Sequence, residues 1–447
     1  MEVLVQIAQL LLSLSILVIL HEAGHFVFAK LFNTRVEKFY LFFDPWFSIF
    51  KFKKGDTVYG MGWLPLGGYV KISGMIDESM DREQLKKPPQ PYEFRSKPAY
   101  QRLLIMLGGV LVNFILALFI YASVLYVWGD EYLPTKNVKY GIVCDSLAQS
   151  IGLQNGDKII SLDNKHIEDF YDIVPEIVLS ETKSIQVERD SSILDIKIPD
   201  ELIIKLIKKR DRNFRFIEPR IPFSPYIIKN FSKNSPGKEA GLKKNDEIIE
   251  FNGTVFSYND EFRKEVIKQK GKPVNLKVKR DSSILSFNLT LTEDGYIGII
   301  REYTSFFELK TITYGFIEAI PAGINKGFKT IGSYLKQLKL LLKPKTKAYE
   351  SLGGFITIGS IFPGVWNWQS FWNLTAFLSI ILAIMNVLPI PALDGGHVLF
   401  LLYEMITGRK PSDKFLEYAQ IVGMVILLSL LLYANGNDVA RWINSLK

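Results

Sequence analysis

The apolar residues of this 447-residue chain gather into four long runs near its two ends, and that arrangement limits the possible folds more than any other feature. The runs are roughly Val3 to Phe28, Leu103 to Trp128, Phe371 to Leu388 and Tyr418 to Tyr433. A bilayer core is crossed by a helix of about 20 largely apolar residues, so each run can span one. Leu11 to Leu20 and Val425 to Leu432 are apolar on nearly every face, interrupted only by serines, as suits contact with lipid. The first run has no basic leader and no small-x-small cleavage site before it reaches His21, so it reads as a retained span, not a cleaved signal.

Charge gives these spans an orientation. The net charge is +8. Lys and Arg follow the edges of the apolar runs and form no aromatic-interleaved stripe, which points to an anionic lipid bilayer and away from nucleic acid. The loop from Lys30 to Arg102 is basic, and so is the link carrying Arg409, Lys410 and Lys414. The positive-inside rule assigns both to the cytoplasm. Both termini and the long middle region then lie on the extracytoplasmic side.

Chemistry concentrates at two of the span ends. His21-Glu22-Ala23-Gly24-His25 closes the first run. Two histidines four apart share a helix face and can hold zinc, and the glutamate between them can deprotonate an activated water. Cys144 is the only cysteine, so any metal must be held by histidine and carboxylate. The third run ends Asn386-Val387-Leu388-Pro389-Ile390-Pro391-Ala392-Leu393-Asp394-Gly395-Gly396-His397. An aspartate at the end of an apolar span is costly and marks a functional site. Topology brings Asp394 to the depth of His21 and His25, near the cytoplasmic face. Three ligands and a water complete a catalytic zinc site. Asn386, about two turns before Asp394, can donate to a substrate carbonyl or developing oxyanion.

The cytoplasmic loop contains aromatic, alternating residues from Val36 to Lys53, then Val58 to Ile72, broken by Gly and Pro. It reads either as a small cytoplasmic sheet or as an apolar β-hairpin around Gly67 and Gly68 that re-enters the bilayer. Phe94 to Arg102 reads as a helix on the interface. The middle region repeats itself. Gly152-Leu153-Gln154-Asn155-Gly156-Asp157-Lys158-Ile159-Ile160 matches Gly241-Leu242-Lys243-Lys244-Asn245-Asp246-Glu247-Ile248-Ile249, and both copies later contain Arg-Asp-Ser-Ser-Ile-Leu. Helices are expected at Ile167 to Leu179 and Tyr258 to Lys270, among short strands. The motif resembles the PDZ domain in its permuted bacterial form, which implies a groove for an extended peptide; two β-rich spacers that bind nothing fit as well. Phe306 to Lys343 has the period of an amphipathic helix pair at the outer membrane surface, and Trp366, Trp368 and Trp372 suit an interface belt.

Together these stretches resemble the site-2 protease family of intramembrane zinc metalloproteases, in its bacterial RseP-type branch with tandem PDZ domains. The likeness is carried by His21 to His25, Pro65-Leu66-Gly67-Gly68-Tyr69-Val70-Lys71, Phe94-x-x-Lys97 to Gln101-Arg102, both repeats, and Asn386-x-x-Pro389-x-Pro391-x-Leu393-Asp394-Gly395-Gly396-His397. It implies one zinc ion on His21, His25 and Asp394, with Glu22 as general base. It implies that Asn386, Pro389 and Asn113 face the substrate, and that the Gly67-Gly68 element lies beside it. It further implies a multi-pass protein of the bacterial inner membrane that acts on single-span membrane proteins, such as anti-sigma factors and remnant signal peptides, after a first cut by a site-1 protease. Two positions depart from the family pattern: Val110 and Phe355 stand where proline is usual.

The expected architecture is a polytopic α-helical membrane protein with four transmembrane helices, a membrane-associated β-hairpin and two extracytoplasmic PDZ-like domains. Its parts are an N-terminal membrane part (1–128, with the β region at about 35–75), PDZ-like domains at 130–208 and 209–303, an outer-surface segment (304–368) and a C-terminal membrane part (369–447). Two rival functions are a non-catalytic membrane scaffold presenting the PDZ-like modules, and a transporter coupled through Asp394. The second expects inverted repeats among the spans, which the sequence lacks.

Overall fold

The computed structural model describes residues 1–65, 67–75, 88–208, 215–302 and 306–445. It divides into two units, 1–130 with 313–447, which carries the apolar helices and is called the membrane unit, and 131–312, called the outer unit after the side expected for it from sequence.

Helix α1 (Glu2–Leu31) is unbroken. Its buried residues include Gln9, Ser13, Leu17, His21, Gly24 and His25, one stripe at helical spacing. The stripe is polar on an otherwise apolar helix, so it must find partners within the protein. Gln6 and Gln9 donate to the carbonyls of Phe362 and Pro363 at 3.0 and 2.8 Å, and Ser13 meets the Thr375 hydroxyl at 3.0 Å.

Strands β1 (Val36–Leu41), β2 (Phe43–Lys54), β3 (Thr57–Leu64) and β4 (Tyr69–Ile72) form one sheet in the order β2-β3-β1-β4. β1 runs parallel to β3 and antiparallel to β4. The Pro65–Gly68 link therefore crosses over β1 and is not the hairpin turn expected from sequence; Leu66 lies outside the described residues. Trp46, Phe47, Phe50 and Phe52 are exposed, and Trp46 and Phe47 stack on Trp63 at 6.0 and 5.9 Å. An apolar face this large suits lipid better than water.

The expected interface helix at 94–102 is a 3-10 turn, Phe94–Ser96, followed by the first turn of α2 (Ala99–Trp128). Pro98 divides the two, because proline disfavours helix for the residue before it. α2 continues through Val110 without a break. It crosses α1 at Gly24 and Gly108, where a Cβ on either residue would overlap the carbonyl of the other. Two glycines let the backbones touch.

Within the outer unit, β5 (Asp130–Tyr132) leads into the first repeat: β6 (Ile142–Cys144), α3 (Ser146–Ser150), β7 (Lys158–Leu162), α4 (Ile173–Leu179), β8 (Ser184–Arg189), β9 (Ser192–Lys197), α5 (Asp200–Lys208) and β10 (Ile217–Pro219). The second holds β11 (Ile228–Phe231), α6 (Pro236–Glu239), β12 (Glu247–Phe251), α7 (Asn259–Lys268), β13 (Pro273–Arg280), β14 (Ser283–Thr290) and β15 (Ile299–Arg301). Each repeat pairs three strands antiparallel, β7-β8-β9 and β12-β13-β14, beside a two-stranded ribbon, β6-β10 and β11-β15. The boundary expected at 208/209 moves. β10 pairs with β6 and Phe216 and Ile217 enter the first core, whereas Phe223 enters the second. Each repeat closes with its last strand, which lies too far along the chain for its local sequence to reveal. β16 (Lys310–Ile312) pairs with β5.

The chain re-enters the membrane unit as α8 (Phe316–Leu341), one helix where a pair was expected. Pro321 does not break it, and Gly323 and Gly327 lay a flat face on Ala122 and Leu118 of α2. A 3-10 turn at Ala348–Ser351 and the short helix α9 (Phe355–Gly359) precede α10 (Trp368–Val387), α11 (Asp394–Thr407) and α12 (Asp413–Ser445). Asp438 of α12 accepts from the backbone of Gly354 and Thr357 at 2.9 and 3.0 Å. α1, α2, α10 and α12 are long and apolar enough to cross a membrane. α2 is the hub, packed on α1, α8, α10 and α11.

Candidate active site

α1 and α11 bring three ligand-type side chains together. His21 and His25 point their Nε2 atoms at the Asp394 Oδ2, 3.2 and 3.4 Å away, and at each other at 3.3 Å. All three residues are largely buried, and one ligand atom from each lies within 4.8 Å of the others. The sequence-predicted triad thus joins two histidines of α1 to an aspartate about 370 positions further along the chain.

The surroundings explain the placement. His25 Nδ1 lies 2.8 Å from the carbonyl of Ile105 on α2. A carbonyl only accepts, so Nδ1 carries the proton and Nε2 presents its lone pair toward Asp394. The rings fit because α2 carries Gly109, where a Cβ would press into both imidazoles. Asp394 sits in the first turn of α11 after a break at 388–393. Gly395 and Gly396 permit that break: a Cβ on either would strike the carbonyls of Val387, Leu388 or Ile390. Ala392 adopts φ 80, a strained value for a residue with a Cβ. Its N–H donates to the Oε1 of Gln420 on α12 at 3.1 Å, and Gly423 lets α12 pass close to the Pro391 carbonyl.

The trio fits a zinc ion. Asp394 Oδ2 is buried and finds no hydrogen-bond partner among the described residues, although two imidazole nitrogens face it. Two imidazole nitrogens and a carboxylate oxygen converging on one point suit a cation. Two imidazoles and one carboxylate are a donor set typical of catalytic zinc, leaving a fourth position open.

Around the trio lies a cavity of about 720 Å³. Glu22 lines it, next to the ligands in sequence, and the backbone of Val70 on β4 faces its carboxylate. Gly67 and Gly68 also line it, and a Cβ on Gly68 would reach Val18 and Glu22. Asn386, the last polar residue of α10, lines it with its amide nitrogen 3.4 Å from His21 Nε2. Pro389 lies in the break between α10 and α11. Asn113 is different. It was expected to face the substrate, yet it is fully buried behind His21, its Nδ2 position 3.1 Å from His21 Nδ1.

Some lining residues carried no signal strong enough to find. Tyr69 donates to Asp44 Oδ1 at 2.8 Å, and Lys38 reaches the Tyr69 hydroxyl at 3.4 Å, a polar cluster brought together only by the sheet register. Gln420 had a signal: it is a lone amide in the apolar fourth run.

The family model described as "Peptidase family M50" matches residues 9–430. A Haemophilus influenzae protein named "Regulator of sigma E protease" is 29% identical over 99% of this chain and 100% of its own length. "Regulator of sigma-E protease RseP" of Salmonella typhimurium is 27% identical over 99% of this chain and 100% of its own. A Rickettsia conorii protein provisionally named a zinc metalloprotease is 28% identical over 96% of this chain and 97% of its own.

Proposed function

The chain belongs to peptidase family M50 and is a multi-pass zinc metallopeptidase, and on that footing we propose that it hydrolyses peptide bonds inside the membrane-spanning segment of single-span membrane proteins. The observation that carries this reading is the depth of the site. His21, His25 and Asp394 converge on α1 and just beyond the end of α10, two helices long and apolar enough to cross a membrane, which supports a substrate that is itself a membrane span.

His21, His25 and Asp394 hold the metal, with Glu22 beside it as general base. A zinc ion there supplies a Lewis acid that lets a water molecule lose its proton near neutral pH. Glu22 takes that proton and passes it to the leaving amine, so the carboxylate is restored after each cycle. Asn386 donates its amide to the carbonyl oxygen as negative charge develops. A substrate helix hides its carbonyls in its own hydrogen bonds and must unwind first. The edge of β4 away from β1, which pairs with no further strand among the described residues and lines the cavity at Tyr69 to Ile72, offers an unwound strand backbone partners. Gly67 and Gly68 keep that approach free of side chains.

The setting we infer is a bacterial inner membrane, with the site near the cytoplasmic face and the two repeats, as PDZ-like modules, outside. Named relatives regulate sigma E, so an anti-sigma factor already trimmed by a site-1 protease is a suitable substrate class, and remnant signal peptides are another. If the repeats filter substrates by the bulk of their outer domain, deleting 139–298 permits cleavage of untrimmed protein; unchanged discrimination removes that role.

The decisive experiment uses the detergent-purified full chain and a single-span reporter. Glu22→Gln keeps one zinc per chain and lowers the cleavage rate by about 10²–10⁴-fold. A Glu22→Gln enzyme that cuts at the wild-type rate refutes the assignment of the base.

A further inference from the structure

Resting on the ligand set proposed above, we infer that Asn113 is the positioning partner of His21: its carboxamide oxygen accepts the proton of His21 Nδ1 and so keeps Nε2 bare for the metal.

The two histidines need the same thing and obtain it from different partners. Each must hold its proton on Nδ1 for Nε2 to act as a ligand. For His25 the Ile105 carbonyl, at 2.8 Å, guarantees it. For His21 the only partner at Nδ1 among the described residues is the Asn113 side chain, at 3.1 Å. With its nitrogen toward His21, the amide would donate to Nδ1, force the proton onto Nε2 and block the lone pair aimed at Asp394. Turned by half a rotation, the same side chain presents oxygen and accepts. The two orientations place atoms almost identically and are told apart only by their hydrogen-bond partners. In the nitrogen-first orientation Asn113 Oδ1 is buried without a partner. Either orientation leaves one amide atom unpaired, so counting hydrogen bonds does not decide between them. The convergence of His21 Nε2, His25 Nε2 and Asp394 Oδ2 does, because only the oxygen-first orientation makes all three available together.

The position suits this task and no contact with substrate. Asn113 is fully buried, on the face of α2 that packs against both α1 and α10. Its backbone carbonyl accepts from the Ser379 hydroxyl at 2.7 Å. That bond anchors α2 to α10 whatever side chain stands at 113, so substitution there spares the helix contact.

The test compares Asn113→Leu with Asn113→Asp in the full chain, since both match asparagine in size and only the second can accept a proton. Zinc affinity is measured by competition with a chelator, and the visible spectrum of the cobalt-substituted protein reports the ligand field. Asn113→Leu should bind zinc about 10–100-fold more weakly, the usual loss when a ligand's outer partner is removed, with an altered cobalt spectrum. Asn113→Asp should bind at least as tightly as wild type and restore that spectrum. Wild-type affinity in Asn113→Leu overturns the proposal, and so does an Asn113→Asp protein as weak as Asn113→Leu. Should Asn113→Leu not fold, Asn113→Asp decides alone: affinity and cobalt spectrum like wild type support the proposal, and zinc binding about 10-fold or more weaker than wild type overturns it. The underlying ligand set fails separately: it is refuted if wild type does not hold one zinc, or if His21→Ala holds it as tightly as wild type.

Discussion

Two buried aspartates, one in each unit, are treated in opposite ways. In the second outer repeat, Asp246 accepts from Arg280 Nε and Nη2 at 2.7 and 2.8 Å and from the Lys243 N–H at 2.8 Å. Arg280 also donates to the Gly241 carbonyl. The first repeat builds the same clamp from Asp157, Arg189 and Gly152. Asp394 of the membrane unit has a buried Oδ2 too, yet that oxygen faces two imidazole nitrogens and no fixed donor among the described residues. Leaving a buried carboxylate oxygen unpaired costs stability. The outer unit therefore uses its aspartates to hold the fold, whereas the membrane unit keeps one available for a ligand.

Exchanging the two carboxylates for amides separates these roles. Asp394→Asn carries the largest expected effect. It removes a charged ligand, so zinc affinity should fall by more than the roughly 10–100-fold typical of losing an outer partner, and proteolysis should fall with it. Thermal stability of the zinc-free protein should change little, because Asp394 Oδ2 carries no fixed hydrogen bond among the described residues. A zinc-free Asp394→Asn protein much less stable than zinc-free wild type would end the comparison, since Asp394 would then be structural as well. Asp246→Asn should do the reverse: unchanged zinc content, and a loss of about 2 kcal/mol from its charged hydrogen bonds, read as a drop of roughly 4–8 °C in the melting of the outer unit.

Legibility in the sequence followed the same division. The spans were readable because lipid imposes one requirement over some 20 residues, and the candidate zinc ligands because His21, His25 and Asp394 lie within or just beyond those spans. The duplicated Gly-Leu-x-x-x-Asp-x-Ile-Ile stretch marked both repeats, since the Asp is the one that clamps an arginine. What escaped depended on distant pairing. β10 joining β6 set the repeat boundary beyond 208, and β1 entering between β3 and β4 turned a supposed hairpin into a crossover. α11 escaped because its basic neighbours Arg409 and Lys410 made 394–407 read as a link. Asn113 was noticed for a resemblance and expected beside the substrate, whereas it is buried beside His21, because a sequence does not say which face of α2 meets α1.

The gentlest discrimination uses pH. Burial alone would raise the Asp246 pKa, but the hydrogen bonds from Arg280 and the Lys243 N–H outweigh it and hold the carboxyl below its ordinary 3.8. The folded outer unit thus binds its proton less readily than the unfolded chain. The stability from this clamp is present in full above the unfolded value and is lost as pH falls through the lower, folded one. Melting of the outer unit followed from pH 6 downward should therefore decline below about pH 4 in wild type, and less steeply in Asp246→Asn, which has no carboxyl to protonate at that site. Cys144 offers an independent reporter of the first repeat. Burial, with the charges of Asp157 and Asp145, pushes its thiol up to about 12, so it stays unreactive toward thiol reagents until its strand opens. Equal acid slopes in wild type and Asp246→Asn, with Cys144 still protected, would mean that the second clamp contributes nothing at low pH and that the two repeats resist acid by other contacts.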